Sequence, residues 1–264
     1  MKNSFESNLI KIPAKEVVDE LYGAPLTKGD RDMAEFRKKN IQKPEKMKNQ
    51  EYFEQIENWQ NFYQETFKIT PNFSKLEIPE KREGFDKLII IAKSMTSQKI
   101  FDKCQEFFPA KKEKINDNYE IEDDDLDEIT ISDRNAKKES YAIWIRDRVE
   151  ADEELKNLSF RDIKKQGLIT ETLEERLIQE LEYFSRTKKH LEGKITSTFC
   201  AGSQFPIFFG DVQSGSDVQS GSEVPTVSWD NFSGLLRIYR YMFDLNVGED
   251  CRAREVVAST KNEK

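Results

Sequence analysis

The chain has 264 residues, of which 35% are charged and 36% are apolar, and its net charge is -8. A chain of this length can bury one large core or two smaller ones. The acidic balance argues against a general nucleic-acid binder, because phosphate contacts require clustered positive charge. The sequence has no apolar run near the roughly 20 residues that span a bilayer, and no signal-peptide segment at its start. We therefore expect a cytoplasmic protein without a membrane span, with export by another route left open.

The first third of the chain, residues 1–83, is predicted to be a charged helical region that is partly disordered. A short apolar stripe at 17–22 precedes a stretch, 28–50, in which charged residues dominate. Aromatic and aliphatic side chains then recur at helical spacing, namely Tyr52, Phe53, Ile56, Trp59, Tyr63 and Phe67. This stripe is predicted to pack on the chain's own next domain, and contact with a partner helix is the alternative.

Residues 84–193 are predicted to form a mixed α/β and helical scaffold. The apolar run 88–92 indicates a strand covered on both faces, and 141–146 indicates a second strand. Between them, Ser97 is predicted to cap a helix that Pro109 ends. One side of this helix would carry Ile100, Phe101, Cys104, Phe107 and Phe108.

The acidic run 120–128 lies between the two predicted strands and is interpreted as a solvated connection. An EF-hand calcium loop counted from Asp123 would need Gly and Glu where this chain has Glu128 and Arg134. No metal site or cofactor is therefore predicted here.

Two capping-box patterns follow, at Ser159/Asp162 and at Thr172/Glu175. The second begins the most strongly patterned helix, whose apolar face carries Leu173, Leu177, Ile178, Leu181 and Phe184. His190, the single histidine, follows this helix in a cationic stretch, so a capping role is favoured over general-base catalysis.

The three cysteines, Cys104, Cys200 and Cys251, are too few and too scattered for a disulfide framework or a metal site. They are predicted to be reduced. Cys200 and Cys251 would be neighbours if the tail folds into a compact sheet.

Residues 194–258 are predicted to form a C-terminal antiparallel β region, followed by a tail at 259–264. The hexapeptide 211–216 is repeated at 217–222, which indicates a flexible loop over 210–223. Alternating side chains at 224–229 and 235–241 flank turn residues at 230–234 and predict a hairpin. The fold class expected for the whole chain is α+β.

One face of the predicted hairpin would carry Thr226, Ser228, Arg237, Tyr239 and Tyr241. Tyrosine and arginine dominate binding hot spots because they combine a large contact area with a polar group. The alternative is an ordinary sheet with one solvated face.

Several segments, among them 84–90, 140–159, 200–203 and 252–257, resemble a family of uncharacterised proteins from uncultivated small-genome bacteria. The resemblance covers the chain from about residue 84 onward. It implies a conserved body and a tail similar to the variable C-type-lectin-like domain of proteins diversified by retroelements. The exchangeable, ligand-contacting positions that it implies are Thr226, Ser228, Asp230, Asn231, Arg237, Tyr239, Tyr241 and Asp244.

The sequence therefore predicts a non-enzymatic recognition protein that displays a diversifiable sheet face to an unknown protein or surface ligand. Two alternatives remain open. One is a hydrolase-type enzyme that uses the carboxylates at Asp147 and 150–154. The other is an interaction module whose contact surface is the aromatic stripe between Tyr52 and Phe67.

Overall fold

The computed structural model describes residues 51–113, 125–192, 196–206, 222–242 and 250–259, which form an α+β fold. The predicted apolar stripe at 17–22, the charged stretch 28–50 and most of the acidic run lie outside the described residues. So does the predicted flexible loop, except for 222–223, which are the first residues of a strand.

Helices and strands alternate over residues 51–132, and the described elements from residue 197 onward are all strands. The helices are α1 (Glu51–Phe67), α2 (Ser97–Phe107), α3 (Leu126–Ile129), α4 (Phe160–Lys165) and α5 (Leu173–Thr187). The strands are β1 (Lys87–Ile91), β2 (Ala110–Lys112), β3 (Ile131–Ser132), β4 (Tyr141–Ile145), β5 (Ser197–Phe199), β6 (Ser203–Pro206), β7 (Ser222–Asp230), β8 (Leu235–Met242), β9 (Cys251–Arg252) and β10 (Val256–Ala258).

The smaller sheet has the strand order β1-β4-β10, and both of its pairings are antiparallel. Helix α1 packs on it. The indole nitrogen of Trp59 donates a hydrogen bond to the Leu88 carbonyl at 2.9 Å, and the Tyr63 hydroxyl donates to the Ile90 carbonyl at 2.8 Å. The predicted packing of the aromatic stripe on the chain's own next segment is confirmed, and Trp59 and Tyr63 are buried there.

The larger sheet has the order β2-β8-β7-β5-β9, with β6 paired to β7 and β3 paired to β6. The predicted hairpin is confirmed as β7 and β8, which pair antiparallel over eight residue pairs. Val227, Leu236 and Ile238 point into the core from one face of this hairpin, as the alternation of apolar residues predicts. The C-terminal sheet also recruits β2, which pairs parallel to β8.

Two details around α2 differ from the sequence prediction. The helix is capped by Thr96, whose hydroxyl accepts a hydrogen bond from the Lys99 amide, so the predicted Ser97 cap is wrong by one residue. Phe107 was placed on the buried side, but it is 38% exposed because it lies in the last turn of the helix. Phe108, which follows the helix in extended conformation, is buried instead.

Part of the acidic run is folded. Asp125 caps α3 by accepting a hydrogen bond from the Asp127 amide, and Leu126 is fully buried. The interpretation as a solvated connection is therefore wrong for Leu126, whose buried side chain anchors this short helix, whereas Asp125 and Glu128 are exposed as expected.

Helix α5 lies against β1, β7 and α2 at the centre of the molecule. Its predicted capping box is confirmed, and so is the predicted apolar face, with Leu173, Leu177, Ile178 and Leu181 buried. The polar face was not expected to be buried, yet every residue from Glu171 to Glu180 is covered. The fold therefore has a charged layer inside its core.

Gly202 allows two segments to approach closely beside this helix. A Cβ atom at this position would lie 2.5 Å from the Thr170 carbonyl oxygen and 2.9 Å from that of Glu171. Gly202→Ala is expected to lower the free energy of unfolding by roughly 1 to 3 kcal/mol, because backbone atoms would have to move. Chemical denaturation measures this loss.

Gly167→Asn is the matched control for Gly202→Ala. Gly167 has a φ of +65° and nothing within 4 Å of an added Cβ, and asparagine tolerates the left-handed region. Equal losses of stability in the two variants would contradict the explanation by steric clash.

Candidate functional site

The hairpin register brings together the side chains nominated from the sequence. Thr226 lies opposite Tyr239, and Ser228 lies opposite Arg237, so these four residues share one face of the sheet. Tyr241 lies on the same face by register, opposite Val224, although its side chain is outside the described residues. Asp244 also lies outside them. The shared face is confirmed, and ligand binding by it stays a prediction.

The middle of this face is covered. Thr226 is 0% exposed and lies beside the Cys251 thiol, so its predicted exposure is wrong. A second hydrophobic cluster causes this, because Val224 and Phe199 of the same face pack there with Leu155, Ile163 and Cys251. Tyr239 is half-buried, and burial raises the pKa of its hydroxyl despite the neighbouring Ser197 hydroxyl. Among the hairpin side chains that the structure describes, the exposed ones are those of the turn, 231–233.

The cysteines are reduced, as predicted: Cys104, Cys200 and Cys251 are all free and buried. Burial raises the pKa of Cys251 to about 12. Burial likewise raises the pKa of Cys200, and Cys251 lies close enough to contribute. Neither thiol is therefore a reactive thiolate at neutral pH.

Asp230 organises the hairpin turn. Its carboxylate accepts hydrogen bonds from the Ser233 hydroxyl at 2.6 Å, the Phe232 amide at 2.9 Å and the Arg237 guanidinium at 2.6 Å. Led by the Ser233 bond, these interactions hold the pKa of Asp230 at about 2. Arg237 also donates to Glu113, which follows β2. The turn is thus fixed to its own strand and to the neighbouring one.

The turn presents one apolar side chain to solvent. Phe232 is 101% exposed, and its neighbours Asn231 and Ser233 are also exposed. The resemblance nominates Asp230 and Asn231 as ligand-contacting positions, but the sequence interpretation treats Phe232 only as part of the turn and so misses it. A phenylalanine between Asn and Ser in a five-residue turn has no strand position from which to reach the core, and that pattern was the available signal. We call residues 230–234 together with Arg237 the hairpin tip.

His190 lies at the base of the tip. Its ring stacks on Trp229 with centroids 3.2 Å apart and planes within 3° of each other. Its Nδ1 atom lies 2.9 Å from the Glu180 carboxylate. The predicted helix-capping role is wrong, because Lys188 ends α5 in the left-handed conformation and the chain then folds His190 back toward Glu180 and Trp229.

The buried charged layer lies beneath His190. Arg176 donates to Glu180 at 2.8 Å and to Glu192 at 3.0 Å, and all three side chains are fully buried. Arg254 donates to Glu192 at 3.0 Å and to the Val149 carbonyl at 2.6 Å. This network links α5 to the C-terminal segment. Sequence reasoning missed it, because each member looks like a surface charge.

Glu171 stands apart within this layer. The nearest guanidinium atom, Nε of Arg254, is 3.9 Å away, and neither carboxylate oxygen has a hydrogen-bond partner among the described residues. Burial raises the pKa of Glu171 to about 8, although Arg254 acts in the opposite direction. Burial also raises the pKa of Glu174 to about 8. Both side chains are therefore largely neutral carboxylic acids at pH 7.

Three of the carboxylates considered for catalysis, Asp152, Glu153 and Glu154, are held in ion pairs and hydrogen bonds. Asp152 bonds to Arg146 at 2.6 Å, and Glu154 bonds to Arg148 at 2.6 Å. The Arg148 hydrogen bond lowers the pKa of Glu154 to about 2, far below the range of a general acid. Glu153 is paired with Arg252. The first two contacts lie within the loop that follows β4, and the pair of Glu153 with Arg252 joins this loop to the C-terminal segment, which is a structural role.

The described residues contain no group of three or more His, Cys, Asp or Glu side chains that could hold a metal ion. They also contain no helix that is long and apolar enough to cross a membrane. Together, the fold and the site define an α+β protein with an anchored hairpin whose tip exposes an aromatic side chain. Comparisons with protein-family models, curated proteins and solved structures gave no match to this chain.

Proposed function

We propose that this chain is a non-enzymatic recognition protein that binds a protein or surface ligand through the hairpin tip. The observation that carries the proposal is the full exposure of Phe232 on a turn whose conformation is fixed by Asp230. An exposed phenylalanine costs solvation free energy in the unbound protein, and that cost is recovered when the ring enters a pocket on a ligand.

The fixed turn supports binding in a second way. Ordering a loop upon association costs free energy, so a turn that is already ordered keeps more of the contact energy as affinity. Arg237 is held by Asp230 and Glu113, and Lys111 pairs with Glu113 at 2.8 Å. These side chains place a polar rim beside the aromatic ring, which is the usual composition of a protein interface.

The tip also suits exchange of its side chains. Ser228, Asn231 and Phe232 are partly or fully exposed, while Val227, Leu236 and Ile238 anchor the opposite face of the hairpin in the core. Substitutions at the exposed positions leave that anchor intact. In this proposal the diversifiable surface is the tip and excludes the covered Thr226. Its origin in a lectin-like domain diversified by a retroelement stays a prediction from the resemblance.

A photo-crosslinking residue at the tip tests the proposal. Benzoylphenylalanine in place of Asn231 is expected to crosslink to a ligand in extracts of the source organism, and mass spectrometry then identifies that ligand. The same probe in place of Val149, which is 42% exposed on another part of the surface, is the control. Identical crosslinking patterns at both sites would argue against a binding surface at the tip.

Phe232→Ser is expected to weaken binding of the crosslinked ligand at least about thirtyfold, the loss of about 2 kcal/mol that is typical of a hot spot. The melting temperature is expected to stay nearly unchanged, because the Phe232 ring is fully exposed. Val149→Ser is the matched control and should retain affinity. Unchanged affinity of Phe232→Ser would contradict the proposed function.

A further inference from the structure

A chain of contacts leads from the buried charged layer to the hairpin tip. It starts at Arg176 and Glu180, which are fully buried and 2.8 Å apart. The same Glu180 carboxylate bonds to His190 Nδ1 at 2.9 Å and lies 3.4 Å from the Leu191 amide nitrogen. Because a carboxylate only accepts hydrogen bonds, Nδ1 of His190 carries the proton. The plane of the imidazole ring is thereby set by the core.

The imidazole ring in turn fixes Trp229. The two rings lie face to face at 3.2 Å, and Phe184 lies 4.8 Å from His190 with its plane tilted by 30°. Phe108 meets His190 edge-on at 4.9 Å and meets Trp229 edge-on at 6.0 Å. Trp229 therefore has its ring held on two sides, in an arrangement that depends on the orientation of His190.

Trp229 directly precedes the residue that organises the turn. Its Cα is paired with that of Leu236, and Asp230, the next residue, forms the hydrogen bonds that shape the tip. We propose that His190 is a positioning residue for recognition: held by Glu180, it sets the plane of Trp229 and so the direction in which the tip presents Phe232. This inference rests on the proposed function of the tip.

The ordinary alternative is that His190 only fills space in the core. In that case its loss lowers the stability of the whole molecule and affects the tip no more than the sheets. Under the proposal, loss of the His190 ring increases local opening of the tip, while the amides of the small sheet stay protected from hydrogen exchange. Hydrogen exchange of single amides distinguishes these outcomes, because it reports local and global opening separately.

His190→Asn removes the ring but keeps a donor for Glu180, so the buried carboxylate stays satisfied. The expected result is about tenfold faster exchange of the Phe232 and Gly234 amides, both bonded to Asp230, at fixed pH. Exchange of the Ile89 and Ile143 amides in the small sheet should change less than about twofold. Unchanged exchange at the tip, or an equal increase at all four amides, would overturn the proposal.

Trp229→Leu provides a second variant if His190→Asn does not fold. It removes the other ring of the stack, and the same selective increase of exchange at the tip is expected. In the native protein, the His190 ring protons should show an upfield ring-current shift in NMR spectra, and Trp229→Leu should reduce it to the part that Phe184 and Phe108 contribute. Absence of that shift in the native protein would also overturn the proposal.

The exchange measurements need no ligand, so they separate the two proposals. Selective loosening of the tip without crosslinking at position 231 would leave the positioning role standing and refute the recognition function. Crosslinking at position 231 without selective loosening of the tip would support the recognition function and refute the positioning role of His190.

Discussion

Replacing Arg176 by methionine is expected to lower the free energy of unfolding by about 3 to 5 kcal/mol, the cost of breaking a buried ion pair. Methionine keeps much of the volume of arginine but leaves Glu180 and Glu192 without their shared guanidinium. Both carboxylates are fully buried, so neither can recover hydration. Urea denaturation followed by circular dichroism measures the loss.

Arg186→Met on the same helix is the matched control. Arg186 pairs with Glu182 at 2.9 Å, but its side chain is 57% exposed. An exposed pair of this kind contributes about 0 to 1 kcal/mol, so the control should lose far less stability than Arg176→Met. The double variant Arg176→Met with Glu180→Gln should recover part of the loss, because it removes the carboxylate charge left without a guanidinium, whereas Glu192 keeps Arg254. Similar losses for Arg176→Met and Arg186→Met would show that burial of the network has no energetic consequence.

Glu171→Gln is expected to raise the free energy of unfolding at pH 8 by on the order of 4 kcal/mol, since raising a pKa by one pH unit corresponds to about 1.4 kcal/mol. The pKa of Glu171 in the folded protein is raised from 4.5 to about 8. Between these values the folded state binds more protons than the unfolded state. The contribution of Glu171 is therefore fully present below about pH 4.5 and is lost as the pH rises to about 8.

The measurement is the pH dependence of urea denaturation between pH 4 and about 8.5, in native protein and variant. Glu171→Gln should flatten this dependence, and the slope that remains is assigned to Glu174, whose pKa is also about 8. Glu154→Gln is the control with the opposite sign. The pKa of Glu154 is lowered to about 2, so its contribution is present at neutral pH and is lost on acidification. A loss of stability in Glu171→Gln at pH 8 would instead mean that Glu171 is ionised and paired with Arg254.

The buried network also explains how the C-terminal segment is held. Arg254 reaches Glu192 and the Val149 carbonyl, while β10 pairs with β4 at the edge of the small sheet. The segment thus contributes strands to both sheets and a charge to the core. In the sequence, the hairpin lies between α5 and this C-terminal segment, both of which the buried network anchors. The base of the hairpin is therefore held in place while its tip is exposed.

Local patterns in the sequence determined several elements of this protein. The hairpin followed from side-chain alternation, and the start of α5 followed from the Thr172/Glu175 capping box. The aromatic stripe of α1 followed from its helical spacing, which identified a face that has to be buried. These predictions succeeded because each depends on residues close in sequence, where strand, helix and cap geometry have fixed periods.

Only the tertiary structure decided which faces are covered. Thr226 alternates as an exposed strand residue does, yet the second hydrophobic cluster, with Phe199 and Val224, covers its face. Arg176 lies on the polar side of α5, yet the sheet and the C-terminal segment enclose it. The sequence predicts that His190 caps a helix end, but its partners Glu180 and Trp229 are 10 and 39 residues away. Strand alternation and the helical period predict on which face of its own strand or helix a side chain lies. Whether that side meets water, a buried charge or an aromatic ring depends on contacts between distant segments, which no local period encodes.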